Sequence, residues 1–102
     1  MELQEIKPYL EVQLQNSEDK LILTTLYESN KPVSIREFEE LYKINLGNWP
    51  NSRPRIANKL YGYFSKEIVI DHQPGSTSDN EYKEVVFELT TESRTVLENL
   101  LK

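Results

Sequence analysis

The sequence predicts a small α+β domain in which three helices are followed by a two-stranded β-hairpin and one more helix. Three observations predict it. Apolar residues recur at helical spacing between Leu21 and Phe64, and an S-x-x-E capping box at Ser34 and Glu37 marks a helix start within that region. Beyond Lys66 the pattern changes to strand-like alternation, and a last helical stripe closes the chain. A chain of 102 residues has room for one such core and not for two.

The first helix lies in NSEDKLILTTLYESNK. Asn16 or Ser17 is its N-cap, and Glu18 and Asp19 suit the positive end of the helix dipole. Leu21, Ile22, Thr25, Leu26 and Ser29 follow helical spacing, Leu23 and Tyr27 widen the apolar face, and the turn SNKP stops it. In PVSIREFEELYKI the capping box is bracketed by Val33 and Phe38 in hydrophobic-staple positions. A second helix therefore runs from about Ile35 to Lys43, with Ile35, Phe38, Leu41 and Tyr42 on its apolar stripe. NLGNWPNS breaks the pattern, and a third helix starts near Ser52, whose hydroxyl caps it, with Pro54 tolerated in the first turn.

EIVIDH and EVVFELT read as strands, with Val85, Phe87 and Leu89 on one face, and the polar QPGSTSDNEYK between them reads as a long hairpin tip. TTESRTVLENLLK is a capped helix beginning at Thr90 or Thr91, with Val96, Leu97, Leu100 and Leu101 on its apolar face. In the first residues Leu3, Ile6, Leu10 and Leu14 suit a helix, but Pro8 interrupts it. This divides the chain into an N-terminal extension, 1–16, and a domain over 17–102. Within the domain the third helix covers about 52–66, the hairpin 67–90 and the last helix 91–102.

Composition excludes several function classes. A 37 % hydrophobic and 28 % charged chain is an ordinary soluble globular protein. Without cysteine there is no disulfide, thiol nucleophile or Cys-based metal site, which fits a reducing compartment. No Gly-rich phosphate loop, second histidine or recognisable nucleophile motif occurs, so no enzyme activity, cofactor or metal is expected. The chain shows neither the n- and h-regions of a signal peptide nor an apolar run approaching the ~20 residues of a membrane span, so the expectation is a cytoplasmic protein with no membrane partner. His72 beside Asp71 reads as a solvated strand end, and Trp49 beside Pro50 as a cover over the core edge.

Charge is distributed unevenly. The net charge is −5, yet the stretch 41–66 carries Lys43, Arg53, Arg55, Lys59 and Lys66 with no Asp or Glu, so all seventeen acids lie elsewhere. At about 100° per residue, Tyr63, Ile56, Leu60, Phe64, Ala57 and Tyr61 share one broad arc of the third helix, and Asn58, Gly62, Arg55, Lys66 and Lys59 share the opposite one.

The order of elements resembles the winged helix-turn-helix family of DNA-binding proteins, from Ser17 onward, and is most similar to small MarR- and PadR-like transcriptional regulators. IANKLYGYFSKEIVI is similar to the family's recognition helix running into the first wing strand. VFELTTESRTVLENLL is similar to its pattern of an aromatic, any residue, Leu-Thr and a final helix. The chain departs from the pattern at Glu67 and Ser93, where glycine is common, and the stretch 43–52 exceeds the usual turn between the two motif helices.

The resemblance implies sequence-specific binding of double-stranded DNA with the third helix in the major groove. Phosphate-dense DNA demands a surface free of carboxylates, and Arg and Asn side chains match guanine and adenine edges. Arg55 and Asn58 are then the expected base readers, and Arg53, Lys59 and Lys66 the phosphate contacts, with Ser52 at the helix start as a further one. Gly62 would let the backbone approach a phosphate. In the wing, Ser76, Thr77 and Lys83 are candidates, alongside the repelling Asp79 and Glu81. Reading two half-sites implies a homodimer, with the last helix or the N-terminal extension as its interface. The alternative is a winged-helix module that docks an acidic protein partner without binding DNA, with Trp49, Tyr61 and Tyr63 as contact anchors.

Overall fold

Side chains close to each helix end set most of the boundaries in this fold. The computed structural model describes residues 3–29, 31–47, 52–74 and 83–102. The expectations for Trp49 and for Ser76, Thr77, Asp79 and Glu81 of the hairpin tip lie outside them. Helix α1 spans Leu3–Gln13, α2 Ser17–Glu28, α3 Ile35–Asn45, α4 Ser52–Ser65 and α5 Thr91–Leu100; strands β1, β2 and β3 are Val33–Ser34, Val69–His72 and Val86–Leu89.

Asn16 is the cap of α2: its side-chain oxygen accepts the backbone N–H of Glu18 at 2.9 Å and of Asp19 at 3.1 Å. At α3 the capping box forms in both directions, Glu37 N–H to Ser34 Oγ at 3.2 Å and Ser34 N–H to Glu37 Oε1 at 3.4 Å. Thr90 caps α5 by accepting the Ser93 N–H at 3.3 Å. The far end of α2 is closed from a distance. Arg94 of α5 donates to the carbonyls of Tyr27 at 2.8 Å and Leu26 at 3.2 Å, placing a cation at the negative end of the α2 dipole.

α4 ends in a Schellman motif. The N–H of Glu67 reaches the Phe64 carbonyl at 3.0 Å, and that of Ile68 reaches the Tyr63 carbonyl at 2.9 Å. The residue at C′ in such a motif takes a left-handed conformation, and Glu67 does so with φ 61°. This is the position where the sequence carries glutamate in place of glycine.

The three strands form one antiparallel sheet in the order β1-β3-β2. Val69 pairs with Leu89 and Asp71 with Phe87 on one side of β3, while Val33 pairs with Phe87 on the other. Strand β1 was not foreseen. Val33 and Ser34 serve at once as the staple and cap of α3 and as partners of β3, which makes β3 central. Phe87 and Leu89 are buried as expected, and Val86, on the opposite face, is buried too.

Pro8 does not interrupt the first segment: α1 continues through it and packs on α5. A proline inside a helix costs about 3 kcal/mol, but burying an aliphatic side chain returns about 1.5–3 kcal/mol. α1 buries two, Ile6 and Leu10, in the core formed with Ile22, Leu23, Leu26, Phe38, Ile56, Leu60 and Leu97. Among the described residues no helix is long and apolar enough to cross a membrane.

Candidate nucleic-acid interface

α4 buries a narrow arc. Ser52, Ile56, Leu60 and Tyr63 point into the core, at the spacing expected for one helix face. The arc opposite carries Pro54, Asn58, Tyr61 and Ser65 (positions i, i+4, i+7 and i+11), all exposed. Tyr61 and Phe64 belong to the apolar arc by sequence but are 46 % and 44 % exposed. Tyr61 keeps one edge on the domain, meeting the Phe87 ring at 5.4 Å in a T-shaped contact. No acidic residue occurs within α4.

The basic residues do not share the outward arc. Arg55 and Lys59 lie on the shoulder of α4 beside the start of α2, where two carboxylates are buried: Glu18 is 8 % exposed and Asp19 5 %. The Arg55 guanidinium is paired with Glu18 through Nη2 and Oε1. Lys59 Nζ sits 3.0 Å from Asp19 Oδ2. Each carboxylate also accepts a phenol. Tyr42 of α3 donates to Glu18 Oε2 at 2.9 Å, and Tyr63 of α4 donates to Asp19 Oδ1.

The result is a double clamp joining α2, α3 and α4, in which every charged member has an opposite charge and a hydrogen-bond donor or acceptor beside it. Burial first, and the bond to a carboxylate second, push both phenols well above the ordinary tyrosine value of 10.0. Tyr9 is raised as well, by burial and then by the Asp19 charge.

The remaining predicted positions are dispersed. Arg53 is exposed at the start of α4, and Asn58 is exposed in its middle. Lys66 is exposed just past the helix with its Nζ 5.2 Å from the Tyr9 ring centroid, a cation–π contact. Ser52 is turned inward and lies on the core arc, away from the exposed stripe. Lys83 is exposed ahead of β3, next to Glu84, which pairs with Arg36 at 3.4 Å. Tyr63, an anchor in the protein-docking alternative, is buried.

Gly62 has open space where a Cβ would stand, so nothing inside the domain requires glycine there. Its cost in a helix is about 1 kcal/mol relative to alanine.

Sequence reasoning missed Ser65 on the exposed stripe and put Tyr61 on the apolar arc, naming it only as an anchor of the protein-docking alternative. The i, i+4, i+7 spacing from Pro54 was available, but two aromatics three apart look like core until the true width of the buried arc is known. Among the described residues no group of three or more His, Cys, Asp or Glu side chains is arranged to hold a metal. Comparison of the chain with protein-family models, curated proteins and solved structures finds no match.

Proposed function

We propose that the chain is a winged helix-turn-helix domain that binds double-stranded DNA as a small transcriptional regulator, with α4 as the recognition helix and β2–β3 as the wing. What supports the architecture is the succession α2, β1, α3, α4, β2, β3 together with the strand order β1-β3-β2. The observation that carries the function is the face of α4 around Gly62. Asn58, Tyr61, Ser65 and Lys66 around the half-buried Gly62 are exposed, α4 itself carries no carboxylate, and the glycine is one that the fold does not need. A rigid, phosphate-dense partner is the kind of surface that rewards both features, since it repels acids and profits from close backbone approach.

The pairing of Arg55 and Lys59 with buried carboxylates dictates how the proposal is tested. Replacing either one strands a buried charge, so lost binding would be confounded by lost folding. Gly62→Ala avoids this. Alanine fits the open space and stabilises the helix by about 1 kcal/mol, while its methyl group stands on the docking face. The expected result is a protein that melts at a higher temperature and binds random duplex DNA more weakly, with Arg53→Ala also weakening binding at unchanged stability. Failure of the parent protein to bind duplex at low salt would refute the proposal. The exposed apolar side chains Ile44, Tyr61 and Phe64 would then direct the search toward a protein partner.

A further inference from the structure

We infer that α4 reads A·T base pairs through Asn58, and that the buried carboxylates of α2 are what withhold the guanine-reading alternative; this rests on the DNA-binding reading above. An arginine grips guanine by placing two N–H groups on O6 and N7, and an asparagine grips adenine by a donor and an acceptor on N6 and N7. α4 has two arginines in its first turn, Arg53 and Arg55, and one asparagine, Asn58, three residues beyond Arg55. The structure treats Arg55 and Asn58 differently. Arg55 Nη2 is committed to Glu18, whose other oxygen is held by Tyr42, so its fork is drawn toward the domain. Lys59, the other candidate for a guanine edge, is drawn the same way by Asp19 at 3.0 Å. Asn58 is exposed on the central stripe of the outward arc and makes no side-chain hydrogen bond among the described residues.

Its neighbours on the stripe reinforce the preference. Pro54 and Tyr61 lie one turn to either side of Asn58 and are exposed, and neither carries a positive charge that would seek the two guanine acceptors. The apolar surface they present suits the thymine methyl group, a feature of A·T pairs that G·C pairs lack. The exposed stripe is thus an adenine reader between apolar surfaces, and the flanking cation Arg53 lies off it on the side opposite Arg55 and Lys59. Charge then positions the protein on the backbone without supplying sequence information.

The test is selection of a random-sequence duplex pool by the intact protein at low salt, repeated with Asn58→Ala after its folding is checked by thermal melting. Sequencing should show an A·T-rich core motif for the parent protein. Changing the preferred adenine to guanine should weaken parent binding roughly fivefold or more, and Asn58→Ala should erase that difference while still binding duplex. A G·C-centred motif, a motif unchanged by Asn58→Ala, or retention without sequence preference would overturn the inference and leave the DNA-binding reading standing. Retention of no duplex by the parent protein would overturn both.

Discussion

Glu67 shows how much a single residue can cost when the backbone around it is decided by others. It holds the C′ position of the α4 Schellman motif at φ 61°, where a side chain crowds the backbone and glycine does not. Glu67→Gly should therefore stabilise the protein by about 1 kcal/mol, read as a higher denaturant midpoint at unchanged m-value. An unchanged or lower midpoint would mean that the glutamate side chain contributes more than the strain it carries. Tyr42 and Tyr63 make a prediction of the opposite kind. In the unfolded chain both phenols ionise near pH 10, whereas burial and the bonds to Glu18 and Asp19 hold them protonated in the fold. The unfolded state then releases protons first, so stability present in full below about pH 10 declines as the pH rises beyond it. Denaturant midpoints measured from neutral pH into the alkaline range should be level and then fall, and the fall should be shallower in Tyr42→Phe.

The contact between α2 and α4 decides what α4 can offer to a partner. The third helix bears the basic residues expected from the sequence, and two of them serve to neutralise carboxylates that α2 carries into the interior. Removing Lys59 while keeping its aliphatic stem tests this. Lys59→Met leaves Asp19 buried with Tyr63 as its remaining donor, and should destabilise the fold by about 2 kcal/mol. A loss within about 0.5 kcal/mol, the range of ordinary surface substitutions, would show that the pair is a surface feature of no consequence. The same geometry answers why the stretch 41–66 carries no acid. Part of its positive charge balances Glu18 and Asp19 within the domain, and the carboxylate-free outward face is what remains to be explained by a partner.

Across the whole molecule the electrostatic balance limits how tightly the proposed DNA partner would be held. The net charge is −5, and among the described residues the cations on α4, just past it and ahead of β3 that no carboxylate engages are Arg53, Lys66 and Lys83. If each meets one phosphate, the logarithm of the binding constant should fall with the logarithm of salt concentration at a slope of about −3 per protomer. Titrations at several salt concentrations measure that slope directly, and a value near zero would exclude phosphate contacts. The homodimer expected from half-site reading has less apolar surface to draw on than the sequence suggested. Ile6 and Leu10 are spent in the chain's own core, and Val12 remains exposed on α1. Sedimentation of the free protein, compared with its complex on duplex DNA, should show two protomers on the duplex; a single protomer would confine recognition to one α4.

Elements whose free energy is set within a few positions of chain were legible in the sequence. The Asn16, Ser34 and Thr90 caps, the switch to alternation after α4, and the bounds of α3 and α4 all depend on neighbours within about one helical turn. The acid-free character of α4 and the exposure of Asn58 belong to the same class. Tertiary structure alone decided the rest, because each remaining feature is a contact between distant residues. Arg55 meets Glu18 across 37 positions and Lys59 meets Asp19 across 40, and no periodicity in α4 announces a carboxylate in α2. Strand β1 exists because β3 passes beside a helix cap, and α1 survives Pro8 because Ile6 and Leu10 find a core. Periodicity assigns a residue to a face of its own helix; what that face meets depends on the elements the fold packs against it.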